Sequence, residues 1–453
     1  MTATDTIVAL STPVGESALG IIRLSGPLCP QLIEHFASAK GGLKPREATL
    51  SKYIDSNGLE IDTAIFIAYE EGASFTGEAL LEIMPHGNPL ILQKILEDCL
   101  RRGCRMAEPG EFTKRAFLNG NMDLSQAEAV ADIIHARSSF SLEVARRQLN
   151  GSIGIKMSEL SDQLLALTAE LEAYIDFPEE DLPSEDQSGP ARDLQQLIRG
   201  VEDLVETHRY SALLQDGIKT LIIGAPNAGK SSLINYFVGS ERALVSDIAG
   251  TTRDFISAFI LLEDYRVEII DTAGLRLSED CIERKGIEKT LELAENADFY
   301  LLILDHSQPS PDLPKEIRSA LHPENTIVIE NKQDIASVHS HAEMLPNTRH
   351  CPVSLKEGTG LKELKAALSN LIEAGLHKPK SQDAIVLNAR HAAALNQSLS
   401  ALKYASQKLD NQEFSELIIV DLRTALDGFS EVVGRIDNEA MLDKLFEKFC
   451  IGK

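Results

Sequence analysis

Apolar positions along this chain change period from one region to the next. In the first region, short β-branched runs punctuated by Gly and Pro ("DTIVAL", "LGIIRLSG", "TAIFIAYEE") predict strands, and "NPLILQKILEDCLRRG" predicts a helix. Residues 1–118 read as a compact α+β unit. From about residue 123 the spacing turns helical. Leu124, Ala127, Ala131 and Ile134 share a face, and Ser125 with Glu128 suggests a capping box at its start. Met157, Leu160, Leu164, Leu167, Leu171 and Tyr174 form a bundle seam, and Leu194, Leu197, Val201 and Leu204 form another. Between the two seams, "DFPEEDLPSEDQSGP" reads as an exposed loop.

At residue 218 the pattern changes again. "IKTLIIG", "YRVEIID", "FYLLILD" and "NTIVIEN" are dense apolar strands separated by helix-sized segments, which predicts a parallel sheet with helices on both faces. Past about 376, "LNARHAAALNQSLSALKYASQKL" and "AMLDKLFEKF" return to helical spacing. The simplest architecture is multidomain. An N-terminal α+β domain (1–118) precedes a helical domain whose halves (119–215 and 376–453) flank an inserted α/β domain (216–375).

Composition narrows the class. The length of 453 residues, 43% hydrophobic and 25% charged, suits several folded domains. No apolar run reaches membrane-spanning length, and "MTATDTIVAL" lacks a signal-peptide pattern, so a cytoplasmic protein is expected. The cysteines (Cys29, Cys99, Cys104, Cys281, Cys351, Cys450) form no CxxC pair, which argues against a zinc or redox motif and for free thiols. A net charge of −25 repels phosphate backbones. Any RNA would be held by a more basic partner.

The inserted region carries the chemistry. "GAPNAGKS", Gly224 to Ser231, follows a strand and precedes a helix, the context of a P-loop. Backbone N–H groups around Asn227, Ala228, Gly229 and Ser232 would wrap phosphates, Lys230 would reach the β and γ positions, and the Ser231 hydroxyl would ligate Mg²⁺. "DTAG" places Asp271 near the metal and Gly274 near the γ-phosphate. "NKQD" (Asn331, Lys332, Asp334) follows. The Asp334 carboxylate can accept both N–H donors of guanine, a pair adenine lacks. "SLK" (Ser354, Leu355, Lys356) offers a backbone N–H to guanine O6. Four motifs in order and in context make this a GTP-binding domain. Leu275 stands where many switch GTPases carry a water-orienting Gln, so another residue must serve. "DIAGTTRD" is the loop expected to supply a second Mg²⁺ ligand, Thr252. Asn227 either lends an oxygen to a monovalent cation or only shapes the loop.

These segments resemble the MnmE (TrmE) family of GTPases that modify the tRNA wobble uridine. "GAPNAGKSSLIN", "DIAGTTRD", "DTAGLR" and "NKQD" match its G domain, "DTIVALSTPVGESALGIIRLSG", "SFTGE" and "PGEFTKRAFLNG" its folate-binding domain, "MDLSQAEAVADII" its helical domain, and "FCIGK" its ending. The resemblance implies a homodimer that binds 5-formyl-tetrahydrofolate or a related folate, with G domains meeting across GTP and K⁺. Asn227, Ser246, Ile248 and Thr251 would form the K⁺ site, with Ser246 and Thr251 also at the nucleotide. Potassium would stand where an arginine finger would otherwise neutralise charge. Glu283 would orient the attacking water through a second water. An FAD-dependent partner would bind most of the tRNA, and together they would add an aminomethyl or carboxymethylaminomethyl group to C5 of the uridine. For the folate, the resemblance points to Arg23, Glu82, Asn121 and Lys453. Asn121 departs from the usual Lys or Arg, and "MPHGNP" departs from the Gly-rich "GHGGP".

The ending has the length of a C-a-a-X signal, but Gly452 and Lys453 are wrong for prenylation and no polybasic run precedes them. The resemblance makes Cys450 a functional thiol near the folate, without assigning it a role. Two other readings stand beside this one: a GTP-controlled ribosome-assembly factor, and a folate-sensing scaffold with a regulatory GTPase.

Overall fold

The computed structural model describes residues 5–36, 43–176, 188–208, 210–211, 213, 217–240, 256–263, 265–271, 293–294, 296–336, 339, 341, 344–375, 385–434, 442, 445–447, 449 and 452. Two compact units emerge. One comprises Met1–Ile134, Ala145–Val201 and Ala393–Lys453; the other comprises His135–Val144 and Glu202–Ala392.

In the first unit the chain runs β1 (Ile7–Leu10), β2 (Ser17–Leu19), β3 (Ile22–Ser25), α1 (Cys29–Phe36), β4 (Thr49–Ile54), β5 (Glu60–Tyr69), β6 (Leu80–Met84), β7 (His86–Gly87), α2 (Pro89–Arg101), β8 (Arg105–Met106) and α3 (Glu111–Leu118). The six-stranded sheet has the order β4-β5-β6-β3-β1-β8; only the β1–β8 pairing is parallel. Alternation along β5 and β6 sends Phe66, Leu81 and Ile83 into a core shared with Phe36, Tyr53, Leu92 and Ile95. Ile7 and Ala9, on the other face of β1, pack with Phe112 of α3.

The helices that follow are α4 (Leu124–His135), α5 (Ser139–Leu149), α6 (Ser152–Asp176) and α7 (Ser188–Glu206). The seam residues Met157 to Leu171 are buried, as are Leu194 to Leu204. The capping box of α4 differs from the expected Ser125–Glu128 pair. Asp123 Oδ1 accepts from Gln126 N at 2.8 Å, and Gln126 Oε1 accepts from Asp123 N at 2.9 Å. Ser125 instead donates to Asp123 Oδ1 at 2.6 Å. The reciprocal Asp-x-x-Gln pair wins because both partners reach the free N–H groups of the first turn. Of the acidic stretch read as a loop, 177–187 lies outside the described residues, while Ser188, Gly189 and Pro190 open α7.

The second unit holds β9 (Ile218–Gly224), α8 (Lys230–Ser240), β10 (Ile256–Leu262), β11 (Tyr265–Asp271), β12 (Phe299–Asp305), α9 (Lys315–Ala320), β13 (Thr326–Asn331), β14 (Arg349–Pro352) and α10 (Leu361–Gly375). Its sheet order is β10-β11-β9-β12-β13-β14. All pairings are parallel except β10–β11. The four strands read from sequence pair in parallel as expected, and β10, which that reading did not include, adds an antiparallel edge: only residues 263–264 join Leu262 to Tyr265, and so short a connection can make only a hairpin. Separate apolar clusters cover the two faces, one with Leu233, Phe237, Leu364 and Leu368, the other with Ile317 and Leu321. Helices α11 (Ala389–Asp410) and α12 (Ser415–Val433) complete the described elements, with α12 packed on α6. No described helix is long and apolar enough to cross a membrane.

Candidate functional site

Parallel pairing puts the carboxyl ends of β11, β9, β12 and β13 on one edge of the sheet, where open α/β sheets bind their ligands. The register aligns Asp271 with Ile222, Ile303 with Gly224, and Asp305 with Asn331. Three of the sequence motifs therefore converge there.

The loop after β9 turns into α8. Asn227 holds φ 63° and Gly229 φ 113°, so successive N–H groups curl into a concave turn. At Gly229 an added Cβ would lie 2.3 Å from Asn331 Nδ2, so only glycine fits. Lys230, 7% exposed, donates from Nζ to the carbonyls of Gly224 at 2.7 Å and Ala225 at 2.9 Å, which fixes its ammonium over the loop. Ser231 Oγ donates to Oδ2 of the buried Asp271 at 3.3 Å. This hydroxyl–carboxylate pair is an all-oxygen donor set that fits a hard dication such as Mg²⁺. Ser232 is exposed in the first turn of α8.

Asn331 joins the two halves of the site. Buried at the end of β13, it donates from Nδ2 to Ala228 O at 2.8 Å and accepts from Leu355 N at 3.1 Å. One side chain thus holds the phosphate loop to the Ser354–Lys356 loop. Ser354, fully buried, donates to Asp334 Oδ1 at 2.9 Å, and Lys356 Nζ stands 3.7 Å from Oδ2. The Ser354 hydrogen bond holds the Asp334 carboxyl below its ordinary value, leaving an anion to face N–H donors of a base. Lys332, at φ 69°, pairs with Asp305 at 2.6 Å. The sequence reading missed Asp305. Its signal was present, an acid ending the apolar strand "FYLLILD" as Asp271 ends "YRVEIID".

The first unit contains a cavity of about 430 Å³ lined by Arg23, Tyr69, Phe75, Leu80, Glu82, Val130, Ile133 and Leu149. Arg23 on β3 faces Glu82 on β6 across the ladder, and Nε and Nη2 donate to Glu82 Oε1 at 2.9 and 2.8 Å. The guanidinium lies 5.9 Å from the Phe75 ring centroid and 5.8 Å from that of Phe112. Tyr69 donates to Glu82 Oε2 at 3.4 Å; burial and the Glu82 charge push its phenol up. An apolar cavity with aromatic walls and one cation–carboxylate pair fits a flat, polar-edged heterocycle such as a folate's. Asn121 sits beside the cavity. Its Nδ2 donates to the carbonyls of Ser74 and Phe75, both at 3.1 Å, so it holds the Phe75 loop in place. Tyr69, Phe75, Val130, Ile133 and Leu149 were not singled out from sequence, since each looks like ordinary strand, loop or helix chemistry.

"SFTGE" and "PGEFTKRAFLNG" form a partly buried clasp around Arg115 beside this cavity. Arg115 of α3 donates to Asp5 Oδ1 at 2.8 Å, to Glu111 Oε1 at 3.0 Å and to Glu78 Oε2 at 3.1 Å. Ser25 donates to Glu78 Oε2 at 2.7 Å. Burial opposes ionisation of Glu111, but hydrogen bonds from Arg105, the Glu108 backbone and Arg115 outweigh it and hold its carboxyl low.

Ser246, Ile248, Thr251, Thr252, Gly274, Glu283, Cys450 and Lys453 lie outside the described residues. The described cysteines Cys29, Cys99, Cys104 and Cys351 are free and buried, and burial pushes Cys99 up to about 12. They are inert thiols.

Comparison with known proteins agrees with this geometry. A family model described as "MnmE helical domain" matches residues 124–450, and one described as "GTP-binding protein TrmE N-terminus" matches residues 6–121. A tRNA modification GTPase MnmE of Opitutus terrae is 45% identical over 452 residues, covering 99% of each chain. The proteins of the same description from Aquifex aeolicus and Akkermansia muciniphila are 38% and 40% identical, and the chain covers 100% and 99% of them.

Proposed function

The chain belongs to the MnmE family of tRNA modification GTPases and is a GTP hydrolase, and from that premise we propose that it is a K⁺-stimulated, dimeric GTPase working with an FAD-dependent partner. The pair adds an aminomethyl or carboxymethylaminomethyl group to C5 of the tRNA wobble uridine. GTP hydrolysis drives conformational change through pairing of G domains, each inserted between the halves of its helical domain. The observation that carries the nucleotide part is the Asn331 side chain, bonded at once to the phosphate loop and to the base-side loop.

Each described residue then has a task. The Asn227–Gly229 turn directs N–H groups at phosphate oxygens, and Lys230 exchanges its loop carbonyls for the β and γ oxygens. Ser231, with Asp271 beside it, would hold Mg²⁺ together with Thr252, and the ion would neutralise phosphate charge. Asn227, with Ser246, Ile248 and Thr251, would hold K⁺, and the ion would supply positive charge where hydrolysis develops negative charge. Glu283 orients the water. Asp334, kept ionised by Ser354, reads guanine, and the N–H groups of the Ser354–Lys356 loop meet its O6.

The cavity at Arg23 and Glu82 supports a folate one-carbon donor in the first unit, with Lys453 and Cys450 assigned there by resemblance alone. The acidic surface supports delivery of tRNA by the partner in the cytoplasm.

Nucleoside mass spectrometry of tRNA from source cells with and without the chain tests the whole reading. C5-aminomethyl-type wobble uridines should disappear without it and return with the intact chain. An unchanged nucleoside profile would reject the tRNA role and favour ribosome assembly. Folate binding with unchanged nucleosides would favour the scaffold reading.

A further inference from the structure

Gly452 is buried and lies against the end of β1. Its carbonyl oxygen accepts from Ser11 Oγ at 2.9 Å and from Arg23 Nη1 at 3.3 Å. It holds φ 95°, and an added Cβ would lie 2.6 Å from Leu10 O and 2.8 Å from Ser11 Cα. Backbone conformation and space therefore both demand glycine. The approach to this seat is anchored too, since Phe446 and Phe449 are buried with Leu124 and Ala127.

Arg23 is shared between two structures. Two of its nitrogens hold Glu82 Oε1 in the wall of the 430 Å³ cavity, and the third holds the Gly452 carbonyl. We propose that Ser11 and Gly452 form a latch that seats the chain at Gly452, and that Arg23 couples the latch to ligand binding in the Arg23–Glu82 cavity. The coupling rests on the reading of that cavity as a folate site.

The sign follows from preorganisation. With Gly452 seated, the guanidinium is fixed at all three nitrogens and Glu82 Oε1 takes both bonds from Arg23, so Oε2, which accepts only the long 3.4 Å bond from Tyr69, is the oxygen with capacity for ligand donors. With Gly452 withdrawn, Nη1 loses its acceptor and the pair gains freedom that a ligand must remove again. The seated state therefore binds more tightly. By reciprocity a ligand stabilises seating by the same factor, with no contact to Gly452 required. Gly452 and Ser11 are positioning residues.

The test measures binding of 5-formyl-tetrahydrofolate to the full chain and amide hydrogen exchange in the peptide that contains Gly452. Gly452→Ala should weaken folate binding about tenfold, the scale of one lost charge-assisted hydrogen bond. Ser11→Ala should weaken it by a smaller factor. In the wild type, saturating folate should slow exchange of that peptide, and in Gly452→Ala it should not. Thermal unfolding midpoints of both variants check folding. Equal folate affinity in the wild type and Gly452→Ala, or exchange indifferent to bound folate, overturns the coupling. If the wild type does not bind the folate, the cavity reading fails and the coupling with it. Ligand-free exchange then judges the latch alone: equal rates in the wild type and Gly452→Ala overturn it.

Discussion

Asn331 spans two loops with one amide, so its removal exposes a cost at both ends. Asn331→Ala would leave Ala228 O and Leu355 N without this partner in a buried setting, and it should weaken GTP binding roughly ten- to hundredfold in equilibrium titration. Asn227 raises a sharper question, because its φ of 63° gives the residue a backbone reason to be Asn apart from any cation. Asn227→Gly keeps that backbone accessible, whereas Asn227→Ala strains it by about 1–2 kcal/mol. If the side chain serves K⁺, both variants should lose K⁺ stimulation of GTP turnover, measured against Na⁺. Loss in the Ala variant alone would return Asn227 to shaping the loop. P-loop, Asp271, "NKQD" and "SLK" were all legible in sequence because each sits next to a strand whose apolar run is unmistakable. Asp305 ends such a strand too, but its partner does not show in sequence: the 2.6 Å approach of Lys332 is encoded by no spacing.

At the level of elements, the N-terminal unit depends on buried carboxylates. Asp98 of α2 accepts from Arg102 Nε at 2.7 Å, Ser56 N at 2.8 Å and Tyr53 Oη at 2.9 Å. Burial alone would raise its carboxyl, but Arg102, Ser56 and Tyr53 together lower it from 3.8 to about 2. That displacement corresponds to about 2 kcal/mol of stability. A depressed carboxylate stabilises the fold above its unfolded value, near 4, and the contribution is lost as pH falls through the folded value. Asp5 and Glu111 of the Arg115 clasp are lowered as well and act in the same direction. The unfolding midpoint of this unit should therefore fall steeply between about pH 4 and pH 2. In Asp98→Asn the fall should be shallower, as followed by circular dichroism. Strands and helices were readable from period alone. Their ends were less so: the box at α4 belongs to Asp123 and Gln126, two residues earlier than the pattern suggested, because cap chemistry depends on which side chain meets the free N–H groups. The antiparallel edge strand β10 likewise followed from a connection length that the apolar runs do not display.

Across the whole molecule the net charge of −25 sets what the chain can hold unaided. Purified alone at physiological salt, it should bind tRNA no more tightly than about 10 µM, and measured affinity should rise when the proposed FAD-dependent partner is added. Tight binding by the chain alone, with a steep salt slope, would show a concentrated basic patch that the overall charge conceals. Local order in the chain was enough to identify the family and to locate the nucleotide motifs, because those depend on residues close in sequence and on strand-and-loop grammar. Folding in three dimensions had to supply the rest. Arg23, Glu82 and Gly452 are far apart in the chain, and only the β3–β6 register and the seat beside β1 bring them together. The cavity wall draws on three strands, a loop and two helices for the same reason. A site made of long-range neighbours has no period of its own, since packing decides which side chains meet.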